Sequence, residues 1–166
     1  TSQGSTCVAV GYNAGTTSQG TSSTILGYNA GNKSIGAGSI AIGYGSMSNA
    51  NGTIGTNSIA IGYNSGQCST AGNAVGNGAI MIGLNAGLAG IGTQSIAIGA
   101  NCLSNYAGSI TNCIMINSTG ATFSTVPANS SALYIAPIRN VSNSTGAGKN
   151  ILWYNTTTNE VMYSST

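Results

Sequence analysis

The sequence predicts an all-β chain, a parallel β-solenoid of short stacked coils, and three observations carry that expectation. A five-residue phrase, Ser-Ile-Ala-Ile-Gly, stands at residues 39–43, 58–62 and 95–99. Looser copies stand at Cys7–Gly11, Ser23–Gly27, Ala79–Gly83 and Cys113–Asn117. Within the phrase small and branched residues alternate, which is the period-two pattern of a strand with two different faces. The copies end at 11, 27, 43, 62, 83, 99 and 117, so the steps are 16, 16, 19, 21, 16 and 18. Such steps suit one turn of a small β-coil and fall well short of the roughly 33 residues of a helix-pair repeat.

In chain order, residues 1–6 are polar and precede the first copy, and seven coils follow through residue 120. β-branched Ile suits a pleated strand, and the closing Gly suits the corner after it. The Ser23–Gly27 copy breaks the order, with Thr24 in the place of the first Ile and Ile25 in the place of Ala. A second, shorter strand is expected eight residues before the closing Gly, at Ile35, Ile54, Val75 and Ile91. Each of these is followed by Gly and a two-residue spacer. Each coil therefore reads as strand, tight turn, strand and loop, and seven coils about 4.8 Å apart make a rod about 34 Å long.

The repeat ends at Gly120. Residues 121–132, with Phe123 and Pro127, read as a neck. Leu133–Arg139 reads as a strand that Pro137 confines to an edge or an end. After a Ser/Asn/Gly-rich loop, Ile151–Asn155 and Glu160–Tyr163 flank Thr156–Asn159, a hairpin signal. The expected organisation is residues 1–120 as β-roll coils and 121–166 as neck and C-terminal β module. That module would close the open end of the solenoid, where strand groups otherwise go unpaired.

Both faces of the phrase are apolar, and a coil of about 18 residues encloses little volume. The Ile pairs are expected inside the coil. The column Ala9, Ala41, Ala60, Met81, Ala97 and Met115 is then expected as an interface with another copy, where small residues permit close approach. The reverse assignment is also open, and either one implies an obligate oligomer.

Composition narrows the function. Lys33, Arg139, Lys149 and Glu160 are the only charged residues among 166, and His and Asp are absent. A surface of Ser, Thr, Asn and Gly with a formal charge of +2 argues against nucleic acid, whose phosphates require Lys and Arg. No apolar run of membrane length occurs, so no membrane insertion is expected. A lone carboxylate forms no acid pair for glycoside cleavage, and Ser without His has no base to activate it. The expectation is a non-enzyme without metal or cofactor. A chain opening at Thr1 reads as a fragment or a processed product. Cys7, Cys68, Cys102 and Cys113 form no metal-ligand spacing and read as buried thiols. An intrachain bridge between Cys102 and Cys113, close enough to sit on neighbouring coils, is the alternative.

Four copies continue into Tyr, at Tyr12, Tyr28, Tyr44 and Tyr63, and Asn follows three of these. Asn beside Gly is turn chemistry. The Tyr residues are expected to stack up one edge, either as a stiffening ladder or as a glycan platform, since aromatic rings pack on apolar sugar faces. Seven Asn-x-Ser/Thr sequons, at Asn32, Asn51, Asn117, Asn129, Asn140, Asn143 and Asn155, matter only on a eukaryotic secretory route.

The phrases at Ser39–Gly43, Ser58–Gly62 and Ser95–Gly99 resemble the head repeats of trimeric autotransporter adhesins. That resemblance implies a left-handed parallel β-roll and three chains packed side by side, here with longer outward loops than the family's. The tail, LYIAPIRN at 133–140 and ILWYNTTTNEVMYSS at 151–165, is similar to the segment preceding the self-cleaving intramolecular chaperone of phage and large-virus fibres. In that family the chaperone drives trimerisation and is cut away at a Ser, and this chain stops at Ser164-Ser165-Thr166.

The expected function is a homotrimeric virion tail fibre or spike that attaches multivalently to a host-surface glycan or receptor. Its expected location is the virion surface, with an extracellular or cell-surface location as the alternative. A pure fibre spacer and a bacterial adhesin head are the rival readings. An ice-binding solenoid lacks the required flat Thr array.

Overall fold

The computed structural model describes residues 3–48, 53–69, 74–105, 110–122, 131–137, 151–155 and 160–164. Among these residues there is no helix, and the chain forms a parallel β-solenoid of about six turns. One wall is an eight-stranded parallel sheet in strict chain order. Its strands are β1 (Val8–Val10), β2 (Thr24–Leu26), β3 (Ile40–Ile42), β4 (Ile59–Ile61), β5 (Ile80–Ile82), β6 (Ile96–Ile98), β7 (Ile114–Asn117) and β8 (Leu133–Ala136). Each copy of the phrase supplies one rung. The register pairs equivalent residues whatever the loop length: Ala41 faces Ala60 across a step of 19, and Ala60 faces Met81 across a step of 21.

The second wall is thinner than a strand. Single bridges join Gln3 to Gln19, Gln19 to Ile35, Ile54 to Val75 and Val75 to Ile91. The expected positions are therefore correct, but each coil pairs there at one residue. Gln3 and Gln19 occupy the same place as the aliphatic residues, eight before Gly11 and Gly27. Gln19 is buried, and its Nε2 donates to the carbonyl of Val8 at 3.2 Å. The parallel sheet also runs beyond the seventh phrase, because Leu133–Ala136 stacks on β7 as a further rung. Pro137 directly follows this last rung, where a residue without an N–H breaks no ladder bond. The expected hairpin is present as β9 (Ile151–Asn155) against antiparallel β10 (Glu160–Ser164), in a separate two-stranded sheet.

The faces are assigned opposite to the first expectation. Ala41, Ala60, Met81, Ala97 and Met115 have no exposed surface within their own chain. They cannot serve as the surface against another copy. Ala9 of the same column is exposed only because it sits on the first rung. The flanking Ile residues point outward. The reason is volume: inside a coil of 16 residues the strand centre already faces Ile35, Ile54, Val75 or Ile91 from the opposite wall.

Side-chain sizes compensate along the interior. Four residues after the closing Gly the chain enters the left-handed region, at Gly15, Gly31, Met47, Gly66, Gly87 and Leu103. Where the strand centre is large, as at Ile25 and Met81, this position is Gly. A Cβ on Gly31 would stand 2.7 Å from Ile25 Cδ1, and one on Gly87 would stand 2.9 Å from Met81 Sδ. Where the centre is Ala41 or Ala97, the same coil places buried Met47 or Leu103 there despite positive φ. Filling the interior offsets a backbone cost of roughly 1–2 kcal/mol for each.

Buried hydroxyls tie adjacent coils together. Ser39 Oγ donates to the Gly55 carbonyl at 3.1 Å, Ser58 Oγ to Gly76 at 2.9 Å and Ser95 Oγ to Ile110 at 3.0 Å. Ser starts these three phrases, where a buried small side chain reaches the carbonyl of the next coil.

Candidate functional site

Two surfaces are candidates, and the closing Gly of the phrase separates them. Gly11, Gly27, Gly43, Gly62, Gly83 and Gly99 turn the corner with φ between 116° and 136°. At Gly62 a Cβ would stand 2.7 Å from the carbonyl carbon of Gly83 on the next rung. Only Gly lets successive corners lie this close.

Before the corner lies the outward sheet face. Two outward positions on each of eight strands form two columns, aliphatic throughout except at Thr24. Val10, Leu26, Ile61, Ile82, Ile98, Ile116 and Ile135 of the second column are 36–55% exposed. These residues belong to the face that the reverse assignment, left open by the sequence, gives to the contact with another copy. The signal was present in the two β-branched residues per phrase, which exceed what the coil holds.

After the corner lies the tyrosine ladder. The rings of Tyr12, Tyr28, Tyr44 and Tyr63 stack with centres 5.2, 5.1 and 4.9 Å apart and planes within 16°. Backbone bonds set that spacing: Asn29 N–H donates to the Tyr12 carbonyl at 2.8 Å, Gly45 N–H to Tyr28 at 2.9 Å and Asn64 N–H to Tyr44 at 2.8 Å. Leu84 takes the next rung and is also exposed. The stack covers the ring faces of its inner members, so the column offers solvent mainly ring edges and phenol hydroxyls. A sugar packing on a ring face, as the sequence suggested, finds one with no ring already stacked on it only at the two ends, Tyr12 and Tyr63.

A second column runs beside the first. Asn13, Asn29, Asn64, Asn85 and Asn101 all have φ between 51° and 55°, and this explains the recurrence of Asn there. Asn13 Nδ2 donates to Asn29 Oδ1 at 3.1 Å, and Asn85 Nδ2 to Asn101 Oδ1 at 3.0 Å. Gly45 interrupts this side-chain ladder in the middle.

No disulfide joins Cys102 to Cys113. The two belong to different columns. Cys113 stands where other phrases have Ser, with its thiol on the Thr111 carbonyl at 3.3 Å. Cys102 follows the Asn column, with its thiol on the Met115 carbonyl at 3.7 Å. Burial pushes the Cys68 thiol up to about 12 and the Cys102 thiol up to about 11. Of the sequons, Asn117 is buried, with its Oδ1 accepting from Thr119 N–H at 3.0 Å. Asn51, Asn129, Asn140 and Asn143 lie outside the described residues, as do Arg139 and Lys149.

Among the described residues no three His, Cys, Asp or Glu side chains group as a metal would need. No helix among them is long and apolar enough to cross a membrane. No family model, curated protein or solved structure matches the chain.

Proposed function

We propose that this chain is a rigid fibre domain. It packs side by side with two further copies through its outward aliphatic columns and attaches a particle to a host surface. The observation that carries the reading is the outward apolar face on eight consecutive strands, broken only at Thr24. An exposed apolar strip about 34 Å long is far from the scattered exposed aliphatics of an ordinary monomer. Covering each half-exposed Ile contributes about 1 kcal/mol, and a face of such residues rivals the entropic cost of association.

The number three comes from the resemblance of the phrases to trimeric adhesin heads. Three rods present three Tyr and Asn columns, and weak contacts made by each combine through effective concentration. The surface near the ladder carries hydroxyls, amides and ring edges, and its one described cation is Lys33. That chemistry suits a neutral glycan. The virion surface is the location we infer, with the bacterial cell surface as the alternative.

The covered ring faces favour a second reading, a stiff spacer whose ladder braces the corner. Light scattering at micromolar and nanomolar concentration tests the assembly, and a single-chain mass with full β structure at both would refute it. A glycan array and a host adsorption assay with the double variant Y28S/Y44S test attachment. Adsorption unchanged in a folded variant, with no array hits for the parent, leaves the spacer.

A further inference from the structure

Among the residues whose side chains are described, the tyrosine ladder is the most open to oxidising chemistry. Among the described residues Met47, Met81 and Met115 have no exposed surface, nor do Cys68, Cys102 and Cys113, and Cys7 is half-buried. Oxidation of a thiol runs through its thiolate and requires access. Burial denies the access and holds Cys68 and Cys102 protonated. The ladder phenols, in contrast, are 45–67% exposed and stand ring against ring.

We propose that the ladder is an oxidative cross-linking site, at which a peroxide acting through a peroxidase-type one-electron oxidant joins neighbouring tyrosines of one chain as dityrosine. Each of two phenols gives up one electron and one proton. The two phenoxyl radicals then form a carbon–carbon bond between ring positions ortho to their oxygens. The hydrogen on each newly bonded carbon leaves as a proton, and each oxygen regains one, which restores both rings. The peroxide takes up the two electrons and two protons and becomes two waters.

The fold supplies the proximity this coupling needs. Ring centres 4.9–5.2 Å apart are held there by the rung-to-rung backbone bonds, so a radical on one ring has its partner in place. A biaryl bond requires only a small further approach of the centres, and the exposed rings reach it by turning about their side-chain torsions. The product is a covalent staple across rungs that otherwise share only hydrogen bonds and packing.

The test treats the full chain with peroxidase and hydrogen peroxide and measures dityrosine fluorescence in the single-chain band of a denaturing gel. Peptide mapping then places the links. Links are expected at Tyr12–Tyr28, Tyr28–Tyr44 and Tyr44–Tyr63. Two variants each keep two ladder tyrosines and preserve the ring stack. Y12F/Y63F leaves the adjacent pair Tyr28 and Tyr44, and should retain the link. Y28F/Y63F leaves Tyr12 and Tyr44 two rungs apart, and should lose at least about tenfold in yield because the effective concentration of partners is lost. Equal yields in the two variants would overturn the proposal. So would no dityrosine in the parent, or links confined to Tyr106, Tyr134, Tyr154 and Tyr163 or to joined chains.

Discussion

Ala60 and Ile61 are adjacent in one strand of three residues, and both are apolar. Ala60 has no exposed surface, whereas Ile61 is 36% exposed. The same contrast repeats at Ala41 and Ile42, and at Ala97 and Ile98. The inward face is satisfied by its own chain: it meets the opposite wall and, at Ala41 and Ala97, a left-handed Met47 or Leu103. Among the described elements, none packs against the outward face. In these three strands the larger residues are the outer ones, which inverts the usual expectation that bulk marks the core.

The sharpest way to break the comparison is to remove the corner that holds both faces in place. Gly62→Val puts a side chain against the Gly83 carbonyl at a φ of 134° and should cost at least about 3 kcal/mol. Loss of the cooperative thermal transition would show it, and a transition unchanged from the parent would contradict the close corner packing. Next in size is the outward face alone. I59E/I61E should leave the β-type circular dichroism intact and weaken self-association at least about a hundredfold by analytical ultracentrifugation. An oligomer of unchanged affinity would move the seam elsewhere.

The inward face is then tested by overpacking. Ala60→Leu should destabilise by about 1–3 kcal/mol in chemical denaturation. Ile61→Leu, one residue on, should change the isolated chain by less than about 0.5 kcal/mol. Similar effects at both positions would erase the distinction between the faces. The smallest effect sharpens the picture of a dry interior. Cys68 has its thiol pushed up to about 12 by burial. Above the ordinary thiol value, near 8.5, the unfolded chain releases this proton and the folded chain keeps it. Stability is therefore whole below that value and falls as pH rises towards about 12, by up to about 1.4 kcal/mol per pH unit. Cys68→Ala should show a shallower alkaline decline, and identical slopes would mean that the thiol is solvated.

Much of the fold was legible because the phrase states its period twice, once in Ser-Ile-Ala-Ile-Gly and once in the aliphatic residue eight positions before its Gly. The facing of the strand was not legible, because alternation shows that two faces differ and leaves open which one is enclosed. The missing quantity was volume, and Met47 and Leu103 hold it: they stand where four other coils have Gly, and each pairs with an Ala centre. Gln3 and Gln19 escaped notice for a different reason. Their position was right, but an amide breaks an aliphatic pattern, while a single backbone bridge takes any side chain. The stacking of Tyr12 to Tyr63 was readable from the repeat. The closure of their faces followed only from ring spacing.

The indifference of strand register to loop length has a practical consequence. Rungs separated by 16 residues and by 21 align equally well, so the strands themselves set the register and the length of chain between them does not. A foreign peptide added to the connection between β4 and β5 should therefore leave Ala60 paired with Met81. The chain is in this sense a ready chassis for display.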